Sequence, residues 1–230
     1  MKYLKLLSIS LLFFMATSFN SKPIKVIFFG DSITQAGVRE GGYITLMQED
    51  LKTKGMTDQY ELIGAGIGGN KIYDLYLRME DDVLSKNPDV VVLFVGVNDV
   101  WHKASHGTGT DADKFEKFYQ AVIQKLQKQN IKVLLCTPAA IGEKIDHSNE
   151  QDGDINHYSN IIRKLADDNN CDLIDLRKDF LAYNLKNNPE NKDRGILTRD
   201  RVHLNDIGNR FVADKMWSAV IKLEHHHHHH

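Results

Sequence analysis

Ile24-Lys25-Val26-Ile27-Phe28-Phe29-Gly30-Asp31-Ser32-Ile33-Thr34 begins as a short, almost wholly apolar run and breaks at a glycine. A run of that length, rich in β-branched and aromatic residues and closed by a turn residue, reads as a strand buried on both faces. The chain then repeats the theme. Residues 43–54 read as a helix closed by Gly55, 60–63 as a second strand, and 72–86 as a second helix ended by Asn87-Pro88. Residues 90–95 are apolar and mostly β-branched, as a central parallel strand requires. Phe115, Phe118, Val122 and Leu126 mark one face of a third helix by their spacing, and Ile155, Tyr158, Ile162 and Leu165 one face of a fourth. Strands are expected at 131–137 and 172–176, and a last helix at 206–221.

Strands separated by helices pair in parallel through right-handed crossovers, with helices on both faces of one sheet. The expectation is an α/β fold, a flavodoxin-like three-layer α/β/α sandwich with a five-stranded parallel sheet. Such sheets bind ligands beyond the carboxyl ends of their strands, near the point where strand order reverses. A motif matters here if it lies just after a strand.

Both termini of the 230-residue chain read as segments outside the fold. Lys2 and Lys5 precede an apolar run at residues 6–16, and Ala16 and Ser18 are small residues placed for cleavage, so 1–18 reads as a secretory signal peptide. The run is well short of the roughly 20 residues that span a bilayer. Leu223-Glu224 and six histidines, residues 223–230, read as a cloning scar and affinity tag. The remainder, 19–222, is one domain by length. No Cys stands at the cleavage site to suggest a lipid anchor, so a secreted or periplasmic protein without stable membrane insertion is expected. Setting aside Lys2, Lys5 and Glu224 leaves 27 basic and 30 acidic residues, a net charge of −3 that argues against nucleic acid as partner. Cys136 closes one strand-like run and Cys171 opens another, so in neighbouring parallel strands the thiols would lie at opposite ends of the sheet, too far apart to bridge.

Four blocks fall at one sheet edge. Gly30-Asp31-Ser32-Ile33-Thr34 follows the first strand and places a serine on a strand-to-helix turn, where a helix N-terminus favours developing negative charge. Gly64-Ala65-Gly66-Ile67-Gly68-Gly69-Asn70 follows the second strand, and Gly96-Val97-Asn98-Asp99 the third. Asp200-Arg201-Val202-His203 precedes the last helix, and its spacing lets the carboxylate hold the imidazole Nδ1–H while Nε2 faces a serine. Taken alone, Ser32 reads as a helix N-cap, His203 as a surface histidine and Asn98 as a turn residue. Asp31 and Asp99 read as braces for their turns. Gly64, Gly66 and Gly69 also satisfy a dinucleotide-binding glycine pattern, but after the second strand rather than the first and with no acidic residue ending the next strand. His106, His147 and His157 lack metal-ligand spacing, so neither metal nor organic cofactor is expected.

At these four blocks the chain resembles the SGNH (GDSL) hydrolases, over most of its length from Gly30 to His203. The resemblance implies Ser32 as nucleophile, His203 as general base and Asp200 as its orienting partner. It further implies an oxyanion hole made from the Ser32 backbone N–H, the Gly69 N–H and the Asn98 side-chain amide, with no cofactor. Gly68 and Gly66 are alternatives to Gly69 in this glycine-dense run. The chemistry suits the residue types: a seryl hydroxyl needs an aligned base, and a tetrahedral oxyanion needs fixed donors.

Trp101 and His102 follow the third block in an expected loop, where they either line the substrate pocket or cap the sheet edge. The longest expected loops, 97–110 and 139–152, are polar and offer no apolar lid for a long acyl tail. Export and a polar-rimmed site, by resemblance to extracellular members of the family, point to removal of acetyl or other short acyl groups from carbohydrate. A lysophospholipase, thioesterase or arylesterase is the alternative among hydrolases, and a non-catalytic carbohydrate-binding protein the alternative outside them.

Overall fold

A computed structural model describes residues 21–225, with side chains as far as Leu223. The signal peptide expected at 1–18 and residues 226–230 of the expected tag lie outside the described residues. The strands are β1 (Ile24–Gly30), β2 (Tyr60–Gly66), β3 (Val90–Phe94), β4 (Lys132–Cys136) and β5 (Asp172–Ile174). The helices are α1 (Ser32–Gly37), α2 (Tyr43–Thr53), α3 (Ile72–Asp82), α4 (Val97–His106), α5 (Ala112–Lys128), α6 (Asp152–Asp168), α7 (Leu176–Asn187) and α8 (Asp206–His225). The strands form one sheet in the order β2-β1-β3-β4-β5, and every adjacent pair is parallel. From β1 the chain first steps outward to β2 and then back across to β3, so the order reverses between β1 and β3. The carboxyl ends of those two strands are where a ligand site is expected.

Alternation along the strands divides the interior in two. Ile27, Phe29, Val91, Leu93, Val133 and Leu135 face a core completed by α3, α4, α5 and α6. Val26, Phe28, Val90, Val92, Leu134 and Cys136 face the opposite core, with α2, α7 and α8. Because both faces are covered, successive residues of β1 and β3 are all apolar, apart from Lys25 at the start of β1. Cys136 and Cys171 are free, at the carboxyl end of β4 and just before β5. No helix among the described residues is long and apolar enough to cross a membrane.

Three elements differ from the sequence reading. Residues 97–106 are not a loop but helix α4. Gly96, at φ 138°, turns the chain directly from β3 into this helix, and Val97 and Val100 bury against the core. Asn and Asp are poor helix formers, which hides the start, yet an acidic residue in the first turn is favourable. The second departure is α7, which carries no apolar stripe because polar Arg177 and Asn184 share its buried face with Leu176 and Phe180. Arg177 donates to Asp152 Oδ1 at 3.0 Å, to Asn156 Oδ1 at 2.8 Å and to the Ala139 carbonyl at 3.2 Å, so its burial is compensated. Thirdly, β2 runs on to Gly66 and takes in the first glycines of the second block. A Cβ on Gly66 would lie 2.2 Å from the Gln35 nitrogen, so this glycine lets α1 pack against the strand end.

Candidate active site

The first block is set by its own backbone. Asp31 caps α1 by accepting from the Ile33 N–H at 3.0 Å, and this leaves Ser32 as the first residue of the helix, half-buried. Thr34 Oγ1 and Tyr43 OH lie 2.8 Å apart and tie α1 to α2. The fourth block is a tight turn around one carboxylate. Asp200 Oδ1 accepts from the Val202 N–H at 3.1 Å and the His203 N–H at 2.7 Å, while Arg201 between them adopts a left-handed backbone at φ 83°. That conformation costs a non-glycine residue about 1–2 kcal/mol, which the two backbone hydrogen bonds offset.

The structure brings these blocks together. Ser32 Oγ lies 3.0 Å from His203 Nε2, and His203 Nδ1 lies 2.6 Å from Asp200 Oδ2. Burial pushes the Asp200 carboxyl up, but hydrogen bonds from the His203 ring and from the His203 and Val202 N–H groups hold it below the ordinary carboxylate range. It is therefore an ionised acceptor, and His203 Nδ1 must be the donor. A neutral ring then has a lone pair on Nε2, toward which Ser32 donates.

The second and third blocks face the same edge. Gly69 takes φ 77°, the left-handed region, at the end of a turn closed by the Asn70 N–H on the Ile67 carbonyl at 3.3 Å. The Gly68 N–H is taken by Gln35 Oε1 at 2.8 Å, and Gly64 and Gly66 lie within β2. Among the described residues the N–H groups of Gly69 and Ser32 have no acceptor in the protein. Asn98 stands in the first turn of α4 and donates one Nδ2 hydrogen to the Asn70 carbonyl at 3.1 Å, which leaves the other free. Trp101 and His102 lie on α4 rather than in a loop. The Trp101 ring stands edge-on to His203 with centroids 6.2 Å apart, and His102 Cε1 lies 3.9 Å from where a Cβ on Gly69 would be. Burial, with Lys71 and His106 nearby, lowers the His102 pKa from its ordinary value.

Beneath the site lie two carboxyls. Burial raises Asp31 to about 7, against the Ile33 N–H and with repulsion from Asp99. Burial likewise raises Asp99 to about 6, although its Oδ1 accepts from the Ile72 N–H at 3.1 Å and so caps α3. In the sequence Arg78 is one more cation on an amphipathic helix, with no signal to set it apart. Its guanidinium donates to the Gly30 carbonyl at 2.8 Å, the Ala65 carbonyl at 3.1 Å and Asn70 Oδ1 at 2.7 Å, which fastens the ends of β1 and β2 to the second block. It also lies over the Phe29 ring at 4.7 Å.

Comparison with known proteins agrees with this geometry. The model of the GDSL-like lipase/acylhydrolase family matches residues 28–211, which include all four blocks. An acetylxylan esterase of Geobacillus stearothermophilus is 28% identical over 207 residues, spanning 82% of this chain and 90% of that protein. A rat (Rattus norvegicus) homolog of isoamyl acetate-hydrolyzing esterase 1 is 25% identical over 220 residues, spanning 86% and 82%. Among solved structures, an α/β hydrolase enzyme from the metagenome of Lake Arreo, Spain, superposes with a TM-score of 0.76 at 24% identity, covering 87% of this chain and 96% of that one.

Proposed function

The chain belongs to the GDSL-like lipase/acylhydrolase family, a family of carboxylic ester hydrolases, and from that premise we propose that it is a serine esterase removing short acyl groups, acetyl above all, from carbohydrate outside the cytoplasm. The observation that carries the reading is the continuous hydrogen-bonded line Ser32 Oγ–His203 Nε2 and His203 Nδ1–Asp200 Oδ2, at 3.0 and 2.6 Å. The acetylxylan esterase relative supports the carbohydrate acetyl ester, and the leader expected at residues 1–18 supports export.

In this reading the Ser32 hydroxyl attacks the ester carbonyl as its proton passes to His203 Nε2. The resulting imidazolium is stabilised by Asp200. Negative charge forming on the carbonyl oxygen meets the Ser32 N–H, the Gly69 N–H and the free Asn98 Nδ2 hydrogen. Collapse of the tetrahedral intermediate breaks the bond to the leaving alcohol, which takes the proton from His203. Water then attacks the acyl-enzyme, with His203 again as base, and releases the acid and free Ser32. Each oxyanion donor contributes roughly 3 kcal/mol in such sites. Asn98→Ala is accordingly expected to lower kcat on p-nitrophenyl acetate by roughly 10²–10³-fold with little change in KM. A loss under threefold would remove Asn98 from the oxyanion hole.

Chain-length preference tests the substrate. Hydrolysis of p-nitrophenyl esters from acetate to decanoate is expected to peak at acetate, and acetate release from acetylated xylo-oligosaccharides to follow. A peak at octanoate or longer would overturn the acetyl reading and direct the search to lipids and thioesters.

A further inference from the structure

Glu143 lies far from the four blocks in sequence, and its side chain is buried within the loop that follows β4. Its carboxylate collects five donors. Oε1 accepts from the Leu197 N–H at 2.8 Å and from Asn184 Nδ2 at 3.3 Å. Oε2 accepts from the Ile196 N–H at 3.1 Å, the Thr198 N–H at 3.2 Å and the Thr198 hydroxyl at 2.8 Å. Among the described residues it makes no ion pair, so its charge is balanced by N–H and O–H dipoles alone, three of them consecutive backbone amides. Such a cradle fixes the path of an irregular segment that has no ladder of its own beyond the single bridge between Thr198 and Leu204.

That segment leads directly into the fourth block. Thr198 Oγ1, which gives its hydrogen to Glu143, accepts from the Arg201 N–H at 3.1 Å. Arg201 is the left-handed residue inside the Asp200–His203 turn. The backbone of the Glu143 loop meets this segment from its other side, with the Gly142 N–H on the Arg201 carbonyl at 2.9 Å inside the turn and the Glu143 N–H on the Asp193 carbonyl at 2.8 Å ahead of it. The Arg199 N–H closes the turn on the His203 carbonyl at 2.9 Å. One hydroxyl thus links the buried carboxylate to the turn that aims His203 at Ser32.

We propose that Glu143, acting through Thr198, is the positioning residue for the Asp200–His203 pair. It touches neither substrate nor the reacting atoms. Its effect is to hold the turn at the one geometry in which Asp200 reaches His203 Nδ1 and Nε2 reaches Ser32. The inference rests on the role proposed above for Ser32, Asp200 and His203.

A carboxylate can accept from all five donors, whereas a glutamine amide must point its NH₂ at some of them. Glu143→Gln preserves shape but leaves at least one backbone N–H facing another donor. Thr198→Val removes the link while leaving Glu143 its backbone donors, and Thr198→Ser restores the hydroxyl. With folding checked by circular dichroism, Glu143→Gln and Thr198→Val are expected to lower kcat on p-nitrophenyl acetate by roughly 10- to 100-fold with KM changed less than about threefold, as a misplaced base does. Thr198→Ser is expected to stay within about threefold of wild type. The low-field NMR signal of the His203 Nδ1 proton, which reports the 2.6 Å contact with Asp200, is expected to move upfield or broaden away in both damaged variants. A purely structural role would instead lower Tm and leave kcat and that signal of the folded protein unchanged, and that result would overturn the proposal. The NMR measurement needs no turnover. If wild type proves inert on every ester, the function reading fails, and an unmoved or shifted His203 signal still decides the case of Glu143.

Discussion

Ser32→Ala is expected to lower kcat on p-nitrophenyl acetate by up to about 10⁶-fold, the scale seen when a hydrolytic serine is removed from an intact site. The substitution should leave the fold alone. The cap on α1 is made by Asp31 to the Ile33 N–H, and among the described residues the only side-chain hydrogen bond of Ser32 is the one to His203. Its backbone N–H survives in alanine, so the proposed oxyanion donors remain complete. The residual rate, roughly 10³–10⁴ over water, would come from those donors and from binding. Labelling by a fluorophosphonate, which requires an activated nucleophile, should vanish in the variant and be stoichiometric in the wild type. Undiminished labelling or turnover in Ser32→Ala, with thermal unfolding unchanged, would mean that another residue carries the attack.

The sequence made part of this site legible and hid the rest for physical reasons. Ser32 and His203 are readable because each sits where one element gives way to the next, and because strand and helix periodicities on either side are strong. β1 and β3 are apolar on both faces, so their ends, and hence the ends of the motifs that follow, are sharply marked. Helix α4 is hidden in the sequence because its first turn is built from Asn98 and Asp99, residues that read as a turn unless Asp99 is known to cap α3. Trp101 and His102 therefore read as loop residues in the sequence, whereas it is the helix that sets Trp101 beside His203. The register within the glycine run was open in sequence because any glycine can present its N–H. What separates Gly69 from Gly68 is a side chain on another element, Gln35, which already occupies the Gly68 N–H. Arg78 and Glu143 were invisible for a further reason. Each acts by collecting backbone groups from distant segments, and a lone charged residue on a helix or in a loop carries no periodicity that would announce this.

Asp200→Asn is the substitution with the next largest expected effect, and the turn around residue 200 explains why. Asp200 Oδ1 is claimed by two backbone donors, the N–H groups of Val202 and His203. An asparagine must keep its oxygen there, so its NH₂ is forced toward His203 Nδ1. Since Nδ1 would then have to accept, the ring proton moves to Nε2, and Nε2–H faces Ser32 with no lone pair to receive a proton. The expected loss in kcat is roughly 10⁴-fold with the fold preserved, measured on the same ester. Stability carries a pH dependence with a definite sign: the folded pKa of Asp200 is depressed, so its contribution is present above the unfolded carboxylate value of about 3.9 and lost as pH falls through the folded value. The neutral variant should therefore lose stability relative to wild type at neutral pH and converge on it in acid. A variant that retained kcat within tenfold of wild type would show that His203 is held in its working tautomer by something other than Asp200.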